Sequence, residues 1–278
     1  MIRTFILLLT LTLILLGVGF IAGGMLGMTL ALFFAFFLNF FSYWYSDRLI
    51  LRAYGAHETD DEGLREIVRK LASEASIPVP KIYIMPGDMP NAFATGRNPD
   101  HGAVAITQGL TSLSRSELEA VIAHEISHIR NRDTLIQTVA ATIAGAISYL
   151  AMIGYWSAFG GDRRDSGGML IGLILIAVFA PLAAAIVKLA ISRRREYAAD
   201  HGAALMTKNP EALASALRKI TDVAEHTRVH GSSATSHIWI VNPFRNDWFT
   251  GLFSTHPPVK RRIAKLERLA GKRGGDDE

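Results

Sequence analysis

Half of the 278 residues are hydrophobic, only 19% are charged, and the formal net charge is +4. A mean hydropathy of +0.24 is high for a soluble enzyme. The chain has no cysteine, which excludes disulfides and thiolate metal ligands, so any metal must be held by histidine and carboxylate.

The chain opens on an apolar element. Thr4–Ser46 carries no charged side chain and is interrupted only by glycines around Gly23, Gly24 and Gly27. A spanning helix needs about 20 apolar residues, so residues 1–46 are expected to form two transmembrane helices joined by a tight glycine turn. A cleaved signal peptide competes with this reading, but the second apolar block follows at once and is itself long enough to span. Two later runs, Thr134–Gly161 and Ser166–Val187, are also uncharged and lie on either side of a short polar stretch. They predict a membrane helical hairpin over residues 134–188, with a buried hairpin in a soluble core as the alternative.

Basic residues follow the second and fourth apolar segments (Arg48, Arg52, Arg65, Lys70 and Lys81, then Arg193–Arg195), and the first interhelical loop has none. The positive-inside rule places residues 47–133 and 189–278 in the cytoplasm, with both termini inside. The net positive charge then reads as a face beside anionic lipid. Nucleic acid is not expected as a partner, because no basic-aromatic module accompanies the charge.

The cytosolic head therefore comes in two pieces of sequence, 47–133 and 189–278. Within the first, DDEGLREIVRKLASEA puts Leu64, Ile67, Val68 and Leu71 on one helical face. KIYIMPGDMPNAFATG and GAVAIT read as short strands, with turns at Pro86-Gly87 and near Asn98-Pro99. Ser114 and Glu117 form a capping-box pair that starts the next helix. With no proline, and no glycine before Gly145, that helix is expected to run on uninterrupted into the third apolar segment.

This helix carries His124, Glu125 and His128. Positions i and i+4 share a face about 5–6 Å apart, so both imidazoles can reach one ion, and Glu125 lies about 100° round the helix. That is the HExxH arrangement of two zinc ligands and a general base. Zinc lowers the pKa of its water to about 7, and the carboxylate removes the proton as water attacks an amide carbonyl. A third ligand should come from another element. Glu196 is the strongest candidate because Asp200 follows one turn later, where it can accept the outer N–H of a ligand histidine. A hairpin leaving after His128 and returning before Glu196 brings the two to similar heights, so the site is expected close to the cytoplasmic membrane face. The flanking charges Glu117, Glu119, Arg130, Arg132 and Asp133 argue against a site within the bilayer.

With these residues in place, the chain resembles the HtpX family of membrane-bound zinc metalloproteases, gluzincins related to the CAAX prenyl endopeptidase. The likeness rests on NAFATG at 91–96, HEISHIRNRD at 124–133, RRREYAAD at 193–200 and STHPP at 254–258, in that order. It implies a mainly α integral membrane protein: four membrane-associated helices with a cytosolic α+β zincin-like protease domain. It implies one Zn2+ per chain held by His124, His128 and Glu196, with Glu125 as base and Asp200 as the second acidic residue of the ExxxD motif. Asn91, Ala92, Phe93, Ala94, Thr95 and Gly96 match a substrate-binding edge strand of a small sheet. His256 matches the histidine of a Thr-His-Pro motif that can hydrogen-bond the oxyanion of the transition state. Asn131 and Asp133 read as structural. The implied activity is endopeptidase cleavage of misfolded or damaged membrane proteins at the bacterial inner membrane, with polypeptides and the lipid bilayer as partners. A non-hydrolytic metal-binding scaffold or chaperone is the alternative, and Glu125 argues against it, because holding zinc needs only the ligands. A zinc transporter would place histidine or acidic residues within the spans, and all four expected spans lack them.

Overall fold

The structure, a computed structural model, describes residues 2–140, 143, 193–226 and 257–273. The expected hairpin over residues 134–188 therefore lies outside the described residues, apart from its first few positions.

Helix α1 (Ile2–Ala53) is two helices meeting at Gly23 and Gly24. Gly24 has φ +58, a left-handed conformation that a side chain would strain, so the expected glycine turn is present. The two arms fold against each other. Leu7, Leu11 and Ala35 are buried, and the Asn39 side-chain amide donates to Thr12 Oγ1 at 2.8 Å. The outer surface is apolar, with Phe5, Leu13, Leu30, Phe33 and Phe36 all exposed. Among the described residues, one helix, Gly23–Ala53, is long and apolar enough to cross a membrane by length and composition; Thr4–Gly17 is a shorter apolar helix.

Four strands form a mixed sheet: β1 (His57–Glu58), β2 (Lys81–Met85), β3 (Ala92–Thr95) and β4 (Ala103–Thr107), ordered β1-β2-β4-β3. Strand β2 runs parallel to β4, while β1 and β3 pair antiparallel at the two edges. Both faces of the sheet are covered, which explains why β4 is buried along its whole length. Ala92, Ala94, Val104 and Ile106 belong to the main core, while Phe93, Ala105 and Met85 cluster with Ile50 and Leu51 from the end of α1. The apolar helix thus ends as a lid on the second face of the sheet.

The main core is helical. Helix α2 (Glu62–Ala75) buries Leu64, Ile67, Val68 and Leu71, the face read from periodicity. Helix α3 (Arg115–Arg130) starts at the expected capping box, with Ser114 and Glu117 bonding reciprocally. Glu117 also accepts from Ser215 Oγ (2.7 Å) and Lys219 Nζ (2.9 Å) on α5 (Pro210–His226), tying the start of α3 to the second half of the chain. Helices α4 (Arg193–Thr207) and α6 (Val259–Arg273) complete the described part.

One expectation is corrected. Helix α3 does not run on into the apolar segment: it ends at Arg130, and Arg132 turns left-handed at φ +58 before helix resumes at residue 134. Asp133 closes the turn by donating its N–H to the His128 carbonyl at 2.9 Å. The break turns the Asp133 carboxylate back toward His128, and that gain accounts for a left-handed residue that is not glycine.

Candidate active site

Helix α3 is buried along most of its length, and its last two turns carry His124, Glu125 and His128, none more than 4% exposed. Helix α4 packs across these turns. The approach is close because Gly202 faces Ser127: a Cβ at Gly202 would fall 2.5 Å from Ser127 Oγ. The first turn of α4 thereby brings Glu196 over the two histidines.

His124, His128 and Glu196 form a tight triangle. The two Nε2 atoms are 3.3 Å apart, and Glu196 oxygens lie 3.8 Å from His124 Nε2 and 3.6 Å from His128 Nε2. Donors on a tetrahedral zinc, with bonds of about 2.0–2.1 Å, are separated by about 3.4 Å. The residues therefore fit a metal, and they do so with two imidazoles and one carboxylate, the donor set of an open zinc site.

Each histidine is held through its other nitrogen. His124 Nδ1 lies 3.0 Å from Asp200 Oδ1, and His128 Nδ1 lies 3.3 Å from Asp133 Oδ2. Such contacts fix the tautomer and direct Nε2 into the triangle. Burial works against a charged His128, but the Asp133 hydrogen bond together with Glu196 and Glu125 pushes its pKa up to about 9. For Asp200, burial raises the pKa and Arg262 with His124 outweighs it, bringing the carboxyl down to about 2.

Glu125 lies beside β3, where the Ala94 backbone N–H favours its charged form. Burial raises its pKa above the usual carboxylate range, against the pull of His124 and His128. Strand β3 is a sheet edge. Thr107 N–H bonds the Asn91 carbonyl at 2.9 Å, so by antiparallel alternation Phe93 and Thr95 bond β4 while the polar groups of Ala92 and Ala94 point away from it, in a strand buried along its whole length. The segment Asn91–Gly96 thus runs directly beside Glu125.

Two residues near the site were not singled out from the sequence. Asp133 reads as structural from the sequence, yet its carboxylate contacts His128, with Arg195 Nη1 3.6 Å away on its other oxygen. Arg262 on α6 is fully buried and places Nε and Nη2 on Asp200 at 2.9 and 2.6 Å. Its Nη1 also lies 3.7 Å from Glu196. Its position in the sequence held the signal: Val259, Ile263 and Leu266 define an apolar stripe, and Arg262 falls on that stripe at helical spacing. His256, six residues before it, lies outside the described residues.

The model of peptidase family M48 matches residues 58–270. A "Protease HtpX homolog" from Pyrococcus furiosus is 50% identical over 98% of this chain and 97% of its own length. Another from Pyrococcus abyssi is 51% identical over 98% and 97%. One from Desulforapulum autotrophicum is 47% identical over 95% of this chain and 88% of its own. With the family match spanning most of the chain and a His-His-Glu group placed to bind metal, the chain belongs to peptidase family M48 and is a metalloprotease.

Proposed function

We propose that the protein is a zinc-dependent endopeptidase acting at the cytoplasmic face of the inner membrane on misfolded or damaged membrane proteins. The observation that carries this reading is the triangle of His124, His128 and Glu196 donors with the Glu125 carboxylate next to it on the same helix. These three residues would hold one zinc per chain, and zinc supplies Lewis acidity that polarises a carbonyl and makes water more acidic.

The chain's own groups do the rest. Glu125 takes the proton of the attacking water and passes it to the leaving amine, and its raised pKa brings it nearer the working pH of a general base. Asp200 and Asp133 hold the histidine tautomers. The segment Asn91–Gly96 along the edge of the sheet is assigned the substrate backbone, by strand addition. His256 is assigned the hydrogen bond to the developing oxyanion.

Membrane placement draws support from the apolar exterior of α1 and from the aromatic residues near its end, where Arg97 of the head lies 5.2 Å from the Trp44 ring centre. In this reading residues 134–188 form the second pair of a four-helix anchor, and both pieces of the head are cytoplasmic. A non-hydrolytic scaffold is not favoured, since family membership and an intact Glu125 both point to hydrolysis.

The test is cleavage of an unfolded polypeptide by the detergent-purified, metal-depleted protein. Activity restored by stoichiometric zinc and not by magnesium or calcium supports the reading. Full activity in the depleted protein contradicts it.

A further inference from the structure

We propose that a cavity between α4 and α6, beside Asp200, binds a phosphate monoester of headgroup size. The inference concerns a second site and holds whatever polypeptide the protease cuts.

The cavity has a volume of about 280 Å³. Helix α4 lines it with Tyr197, Asp200 and His201, whose i, i+3 and i+4 spacing shares one helical face. Helix α6 lines it with Lys265, Leu266, Arg268 and Leu269. His124, His128 and Glu196 are not on its wall, so it is separate from the donor triangle. Sites for drug-sized molecules start at about 300 Å³, so this volume suits a headgroup and not a whole lipid or a peptide.

Charge selects the ligand. Asp200 is the one carboxylate on the wall, and the Arg262 fork already neutralises it. Among the described residues, neither Lys265 nor Arg268 makes an ion pair. The acid between them in sequence, Glu267, pairs instead with Arg218 on α5. Lys265 Nζ sits 3.5 Å from the ring centre of Tyr197, a cation–π contact that reaches from α6 to α4 and places the ammonium at the cavity. Two uncompensated cations therefore face one small space. A phosphate monoester presents three acceptor oxygens and about −1.5 to −2 of charge. The Arg268 guanidinium suits two of those oxygens at once, and the Lys265 ammonium acts as a point charge beside them. Leu266, which is buried, and the half-buried Leu269 supply an apolar floor for the carbon part of the ester.

A ligand seated there touches both helices, so it fastens α6, and with it Arg262, to α4. Two sources share this chemistry: the headgroup of an acidic lipid such as phosphatidic acid, and a soluble phosphate ester. The lipid source rests on the membrane reading above, since α4 opens at Arg193, shortly after the apolar run that ends at Val187. The soluble source does not.

The experiment follows thermal unfolding of the full-length, zinc-loaded protein in a neutral detergent. The probes are dihexanoyl phosphatidic acid, dihexanoyl phosphatidylcholine and glycerol 3-phosphate. Lys265→Gln with Arg268→Gln removes the cavity cations. Lys260→Gln with Arg261→Gln removes the same charge from exposed positions of α6 that do not line the cavity. The quantity read is the shift that each probe causes, so a change in Tm from the substitutions themselves does not enter. Phosphatidic acid is expected to raise Tm by about 3–6 °C in wild type and in the Lys260/Arg261 variant, and by less than about 1 °C in the Lys265/Arg268 variant. Glycerol 3-phosphate reproducing the shift assigns the site to soluble esters, and a shift from phosphatidic acid alone assigns it to lipid; either supports the proposal. No shift in wild type with either phosphate ester, an equal shift from phosphatidylcholine, or equal shifts in the two variants overturns it. None of these outcomes bears on peptide cleavage, so the protease reading stands or falls separately.

Discussion

Arg262 forks onto both carboxylate oxygens of Asp200, and the pair sits wholly inside the protein behind His124. The fork fixes Asp200, and Asp200 fixes His124 Nδ1 at 3.0 Å. Removing one partner of a buried charged pair typically costs about 3–5 kcal/mol, because the other is left uncompensated. Arg262→Ala is therefore expected to lower Tm and to weaken metal affinity by about 10–100-fold. Arg262→Lys keeps the charge but loses the fork, so it should fall between wild type and alanine. Chelator competition with a zinc indicator checks the order.

Asp133 plays the matching part for His128. Asp133→Asn keeps the size but can present an amide N–H to the imidazole, while Asp133→Ala removes the contact. Both should reduce metal affinity by about 10–100-fold with the fold retained by circular dichroism. Wild-type affinity in both variants would mean the 3.3 Å contact does not orient the ring.

The two residues differ in how far the sequence revealed them. The spacing of His124, Glu125 and His128, the capping box at Ser114 and the apolar face of α2 all follow from local periodicity, and these features are where the expectations and the structure agree. Asp133 was undervalued because the break after Arg130 has no breaker residue: Arg132 is left-handed without being glycine, and only the contact to His128 accounts for it. Arg262 was hidden among the cations of VKRRIAKLERL, where five charged side chains face water and one faces in. Strand β1 is two residues long, too short to carry an alternating pattern. The covered second face of the sheet depends on the distant end of α1, a contact that no local pattern encodes.

Acid stability should depend on Glu117. Burial would raise its carboxyl, but Lys219, Ser215 and Ser114 outweigh that and hold it near 2, below its ordinary 4.5. A depressed folded-state pKa means the carboxylate's stabilisation is fully present above about pH 4.5 and is lost as pH falls toward about 2. Glu117→Gln should cost about 1–3 kcal/mol at neutral pH and flatten the fall in stability across that window. Urea unfolding of the detergent-solubilised protein at pH 3, 4 and 7 reads the difference. A parallel fall in wild type and variant would show that other groups dominate.

Gly202 controls how closely α4 approaches the motif helix. A side chain there meets Ser127 Oγ, so Gly202→Ala should cost about 1–3 kcal/mol and Gly202→Val more. Displacing α4 also moves Glu196, so zinc affinity should fall with stability. Pairing Gly202→Ala with Ser127→Gly, which removes the clashing hydroxyl, should recover much of both.

The most direct measurement compares Glu125→Ala and Glu196→Ala with wild type for zinc content and for cleavage of an unfolded polypeptide. Glu125 lies beside the donor triangle and Glu196 is one of its corners. The account predicts one zinc per chain and no cleavage for Glu125→Ala, with loss of both zinc and cleavage for Glu196→Ala. Cleavage by Glu125→Ala at the wild-type rate, or full zinc retention by Glu196→Ala, would contradict it.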